Sequence, residues 1–162
     1  MTTEDRLEKV GRVTVPVKVL ALLAFLGTLL LDWQRVSVEV AGAVDIEETT
    51  IGWNGWGFAA GVFALLLLVQ MFGEVRRGQP TASNVFTAVV LPQALVIATV
   101  LAVFTGEANV SVAGTVAVAD TTLWAAWLGL ALALLTAAAY VVELLAQLPE
   151  RGAHGLVPPT HA

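Results

Sequence analysis

A chain of 162 residues that is 57% hydrophobic and 13% charged, with a mean hydropathy of +0.82, lies outside the soluble range of roughly 45–50% apolar and about 25% charged residues. Its charges collect at the ends and between apolar runs, which excludes an ordinary water-soluble domain and points to an integral membrane protein. The net charge of −5 argues against a nucleic-acid partner, which needs a basic stripe, and the absence of cysteine excludes disulfides and thiolate metal sites.

Met1 to Arg12 is charged and reads as a short lead-in. A first span is expected over about 13–31, with Pro16 in its first turn and Lys18 near enough to its start to snorkel toward the headgroups. A cleaved signal peptide is the rival reading. Its small-residue triplet, Ala41-Gly42-Ala43, falls well beyond the apolar run, which favours an uncleaved span.

Val36, Val38 and Val40 alternate with Ser37 and Glu39, and after Ala41-Gly42 the alternation resumes with Val44 and Ile46. Period two across a glycine-bearing turn signals a β-hairpin, here about 36–48. A second is expected at about 109–120. Without gaps, Val38 to Thr50 matches Val110 to Thr122 at seven of thirteen positions, so the chain reads as two similar halves offset by 72 residues. A hairpin alone is marginal in water, and the two hairpins could cover each other's edges as one four-stranded sheet.

A second span is expected over about 55–72, with Asn54 as N-cap and Gly57 and Gly61 forming a GxxxG site for close helix packing. Glu74 to Asn84 is a polar loop, and a third span over about 85–104 carries Pro92-Gln93 near its middle. The fourth span, about 122–148, has small residues every four positions at Ala125, Gly129, Ala133 and Ala137 and is expected to stop at Pro149. The repeat offset sets Gly129 and Ala133 against Gly57 and Gly61, whereas Trp124 and Trp127 match Trp53 and Trp56 at 71. A slip of one residue turns a helix by about 100°, so the two sets of matches are not both equivalent in space. Residues 150–162 read as a flexible tail.

The expected architecture is thus an all-α membrane bundle forming a single domain over 1–162: four transmembrane helices with two short extracytoplasmic β-hairpins, arranged as two parallel two-helix repeats. Seven of the eight basic residues lie in the N-terminal segment, the central loop and the tail, and only Arg35 lies beside a hairpin. The positive-inside rule then places both termini in the cytoplasm and the hairpins outside. Trp33, Trp53, Trp56, Trp124 and Trp127 fall on the outer side, as an aromatic belt at the membrane interface.

The spans contain no His, Cys or Asp, so no catalytic set, buried haem ligand or metal centre is expected there, and no cofactor. Gly52 to Gly57, GWNGWG, lacks the Lys and Ser/Thr of a phosphate loop. Three intramembrane features remain: Pro92-Gln93, Glu143 and the GxxxG ridge, the last more simply explained by packing among the four helices. Pro92 and Gln93 would form either a kink with an interhelical hydrogen bond or the lining of a polar path. Glu143 would pair with Lys18, Arg76 or Arg77 as a structural ion pair.

With Leu31-Asp32-Trp33, the first hairpin and Gly52-Trp53 to Gly57 in place, the chain resembles the small four-span membrane proteins of high-GC bacteria, a group of unknown function. It is also similar in architecture alone to claudins, whose first outer segment carries a Trp…Gly-x-Trp signature; their cysteine pair is absent here and the outer segments are shorter. The resemblance implies an uncharacterised protein of a bacterial cytoplasmic membrane. The expected function is non-enzymatic: an accessory subunit or scaffold of a larger membrane complex, contacting the lipid bilayer and other subunits or itself. The alternative is a small channel or transporter with a polar path near Gln93.

Overall fold

A computed structural model describes residues 3–40, 44–76, 86–105, 111–112 and 116–153. Helix α1, Thr3–Thr28, leads into strand β1, Asp32–Val40, and strand β2, Val44–Ile51. Helix α2, Trp56–Arg76, follows; a π-helical turn, Phe86–Val90, then runs directly into helix α3, Leu91–Phe104. Strands β3, Ser111–Val112, and β4, Val116–Thr122, precede helix α4, Trp124–Ala153.

Three helical stretches are long and apolar enough to cross a membrane: Lys9–Thr28, Trp56–Arg76 and Trp124–Ala146. The apolar part of the third helical region, Ala88–Phe104, is shorter. The helices pack in the cyclic order α1, α2, α3, α4, with α4 closing against α1. Their inner faces join in one core that includes Leu22, Phe25, Leu67, Met71, Leu95 and Tyr140. Their outer faces are also apolar, with Leu20, Phe58, Val69, Phe72, Ile97 and Leu145 exposed. A helix that is hydrophobic on all sides needs an apolar surrounding, so this exterior is compatible with lipid contact.

Several expected boundaries move. α1 starts at Thr3, so the charged lead-in is helical and Pro16 lies inside the helix rather than in its first turn. Proline there removes the bond to the Arg12 carbonyl, and the packing of α1 along α4 carries the helix through. Likewise α4 runs past Pro149 to Ala153, so the tail does not begin at 150. Of the loop expected over Glu74 to Asn84, residues 74–76 belong to α2 and residues 77–84 lie outside the described residues, as do residue 85 and residues 154–162.

Both hairpins join one antiparallel sheet of order β2-β1-β4-β3, in which two residues of β3, Ser111 and Val112, are described. β1 begins at Asp32, four residues before the expected start, because Gln34 and Arg35 already pair with Thr50 and Thr49 on β2 and with Thr122 and Thr121 on β4. The sheet therefore grows straight out of the end of α1. We refer below to the sheet end of the bundle and to the opposite, distal end.

Candidate functional site

At the distal end, ionisable side chains turn inward from three helices. Lys18 of α1 is 0% exposed, and its ammonium donates to Oε2 of Glu143 on α4 at 2.7 Å. The Thr14 hydroxyl, one turn before Lys18, donates to the other carboxylate oxygen, Oε1 of Glu143, and also lies 3.0 Å from the Val10 carbonyl. The Lys18 ammonium sits over the Tyr140 ring, 4.2 Å from its centroid, within the range where a cation is attracted by the ring quadrupole. Glu74 of α2, also buried, accepts from Gln70 Nε2 at 3.1 Å and lies within electrostatic range of both Lys18 and Tyr140.

Helix periodicity assembles this set. Thr14 and Lys18, Gln70 and Glu74, and Tyr140 and Glu143 are each three or four residues apart, so each pair shares a helix face. Lys18 lies ten residues before the end of α1 and Glu143 nineteen after the start of α4, which is about 15 Å and about 28 Å from the sheet end. The lysine side chain points back toward the N-terminus of α1 and closes much of that gap. Lys18 therefore does not snorkel, as its position near a span end suggested: the Glu143 carboxylate and the Tyr140 ring face receive its ammonium inside the bundle. Of the three cations open to Glu143, Lys18 pairs with it, and Arg77 lies outside the described residues.

The other residues singled out in the sequence do not join this cluster. Pro92 is fully buried two residues beyond the π-helical turn, inside the helical stretch that runs on to Phe104, and a π-helical turn followed by proline is a place where helices bend. Gln93 is exposed on the outer surface of the bundle. Leu91 and Pro92 take the inward positions, and the next residue is rotated outward by about 100°, so Gln93 lines no path through the bundle interior.

At the sheet end the central residue is Trp33. It is 3% exposed, so it belongs to the core and not to an interfacial belt. Its indole N–H donates to the Thr28 carbonyl at 2.7 Å, its own carbonyl accepts from the Leu123 N–H at 2.7 Å, and Phe25 meets its ring edge-on at 6.2 Å. Glycines make room for it: a Cβ on Gly52 would lie 2.6 Å from the indole nitrogen, and one on Gly129 2.7 Å from the ring. Gly61 serves Trp53 in the same way, at 2.5 Å, and Gly57 abuts the Gly52 carbonyl. The GxxxG pair and Gly129 thus receive tryptophan rings and the chain's own turn rather than a neighbouring helix backbone. Ala133 is buried against the bundle as a small-residue ridge requires. Trp53 is half-buried, and Trp56, Trp124 and Trp127 are exposed at this end, where a belt would place them.

Asn54 does not cap α2 through its side chain in the usual way; its carboxamide oxygen accepts from Gly55 N–H at 3.0 Å, and Gly55 adopts φ +52°, a conformation suited to glycine. Between Gln34, Asn54, Trp56 and Thr105 lies a shallow, open depression whose lining among the described residues carries no charged side chain. Among the described residues, no three His, Cys, Asp or Glu side chains converge as a metal site.

Thr14, Glu74 and Tyr140 escaped the sequence reading. The three-and-four spacing was legible, but which helix faces meet is a tertiary fact. No family model matches this chain, and no curated protein matches it.

Proposed function

We propose that the chain is a non-enzymatic, four-span protein of a bacterial cytoplasmic membrane that works by association, as an accessory subunit or scaffold of a larger membrane complex. Both termini and the central loop face the cytoplasm, and the sheet stands outside. The observation that carries this reading is the sheet itself: it rises from a bundle with an apolar exterior and leaves β2 and β3 as edges. Edge strands carry rows of backbone donors and acceptors that another chain can pair. Lys18 no longer counts toward orientation, being buried, yet Arg6, Lys9, Arg12, Arg76, Arg77 and Arg151 still favour the same side. The π-helical turn and α3 together give a helical stretch Phe86–Phe104 of about 28 Å, which supports the fourth span. Gentle solubilisation of the native membrane, followed by a native gel and identification of co-purifying proteins, tests the reading. Migration as a lone 17.0 kDa chain would sink it.

A second reading, a small channel or transporter, draws on the buried Lys18, Glu143 and Glu74, since ionisable groups at membrane depth commonly mark ion or proton routes. It moves any internal path from Gln93 to the distal cluster. Ion flux in proteoliposomes of the parent protein, abolished by Glu143→Gln, would favour it; no flux in the parent removes it.

A further inference from the structure

The two hairpins are joined in an unusual register. On β1, Val38 stands between Ile46 on β2 and Val118 on β4, and Val40 stands between Val44 and Val116. On β4, Val116 stands between Val40 on β1 and Val112 on β3, and Ala117 between Glu39 and Ser111. In every case the two flanking residues are 72 apart, which is the offset of the sequence repeat. Each inner strand is thus bordered on both sides by the two copies of one repeat strand, in one register. The hairpins follow one another by a shift along the sheet, as successive units of a series do, and not by a two-fold axis.

A series of this kind has complementary ends. The inner junction joins the first strand of one hairpin, β1, to the second strand of the other, β4; the edges left over are a second strand, β2, and a first strand, β3. We propose that β2 of one copy pairs with β3 of a second copy, head to tail, with Ser111 opposite Asp45 and Val112 opposite Val44. These pairs repeat, at the offset of 72, the pairs Glu39 with Ala117 and Val40 with Val116 of the inner junction. The inference rests on the reading of the chain as a membrane protein that works by association, and it names the partner and the surface.

Two physical constraints favour a head-to-tail contact over a symmetric one. β1 leaves the end of α1 and β2 returns to α2, so the strands run away from the bundle and back. Copies inserted in the same sense are related by rotation about the membrane normal, which keeps β2 and β3 antiparallel. A two-fold axis along that normal would instead set β2 parallel to itself, and an axis across it would invert one copy. Charge points the same way. β2 carries Asp45, Glu47 and Glu48, which would crowd their own copies across a symmetric contact, whereas β3 offers uncharged Ser111 and Val112. Confinement of all copies to one bilayer raises their effective concentration and strengthens each junction.

The chain has no cysteine, so thiols can be placed without background. The test uses full-length double variants in their native membrane under mild oxidation: Asp45→Cys with Ser111→Cys, and Val44→Cys with Val112→Cys. Adjacent antiparallel pairs alternate between hydrogen-bonded and non-hydrogen-bonded geometry, so one of the two has the closer approach. β2 and β3 lie at opposite edges, about 14 Å apart across three strand spacings, too far for a bridge within one chain. The expected result is a ladder of dimer, trimer and larger bands for at least one double variant. A register-shifted pair, Glu47→Cys with Ser111→Cys, should yield roughly tenfold less, as disulfide geometry demands. Equal yield in both registers, no ladder, or cross-links only to a different protein would overturn the proposal. A reduced portion of each sample on a native gel separates the two failures. An assembly without the ladder overturns the edge contact alone; a lone chain overturns the association reading as well.

Discussion

The two ends of the bundle are held by opposite means. At the sheet end a large neutral ring, Trp33, fills space that Gly52 and Gly129 leave open, and its one polar atom is satisfied by a backbone carbonyl. At the distal end small differences in shape matter less than charge: Lys18 and Glu143 lie out of water, and each finds the other, with Thr14 and Tyr140 around them. Shape complementarity stabilises directly. A buried ion pair is close to neutral against an apolar pair of the same volume, and its strong effect appears only when one partner is removed. The contrast teaches that the sheet end stabilises by shape, whereas the distal ion pair adds little stability beyond what an apolar pair of its volume would give.

Breaking one charge should have the largest effect. Lys18→Met leaves the Glu143 carboxylate buried without its ammonium and is expected to cost about 3–5 kcal/mol, read as lowered resistance to unfolding in mixed detergent micelles. Adding Glu143→Met should restore most of that loss. A double variant as weak as the single one would break the comparison, because it would mean that the pair, and not merely its completeness, holds the helices together.

At the other end, Gly129→Leu drives a side chain into the Trp33 ring and should cost about 1–3 kcal/mol in the same assay. Combining it with Trp33→Phe should relieve part of the clash, which sharpens the claim that the glycine serves the ring. Loss of the Thr14 hydroxyl in Thr14→Val removes a hydrogen bond to a charged group, and about 1.5 kcal/mol is expected. Smallest of all, Gln93→Leu changes an exposed position on the bundle exterior and should shift stability by no more than about 0.5 kcal/mol. A large effect there would place Gln93 in a contact with another subunit.

Much of the fold was legible in the sequence because lipid and backbone chemistry leave few choices. Runs of Ala, Leu and Val longer than a bilayer core read as spans, and period-two valines around Gly42 and Gly114 read as hairpins. Proline was misleading twice. Pro16 and Pro149 looked like helix boundaries, yet α1 and α4 run through them; at Pro16 the packing of α1 along α4 offsets the lost hydrogen bond and the crowding of the preceding turn. Tryptophan was misleading once: Trp33 shares its composition signal with Trp56, Trp124 and Trp127, but among the described residues only Trp33 has glycines facing it from both the turn after β2 and α4. The distal cluster was half legible. Glu143 stood out as a charge within an apolar run, whereas Glu74 looked like the start of a loop and Lys18 like a headgroup contact. Neither could be turned inward before the order of helices around the bundle was known.

The central claim is that this chain acts in company, through a sheet held clear of an internally complete bundle. Excising the protein from its own membrane in polymer-bounded discs, with no detergent exchange, and measuring the particle mass counts the chains directly. The account predicts more than one copy of the 17.0 kDa chain, or one copy with a further subunit, in the prevailing particle. Discs that hold a single chain and nothing else, at native abundance, would contradict it.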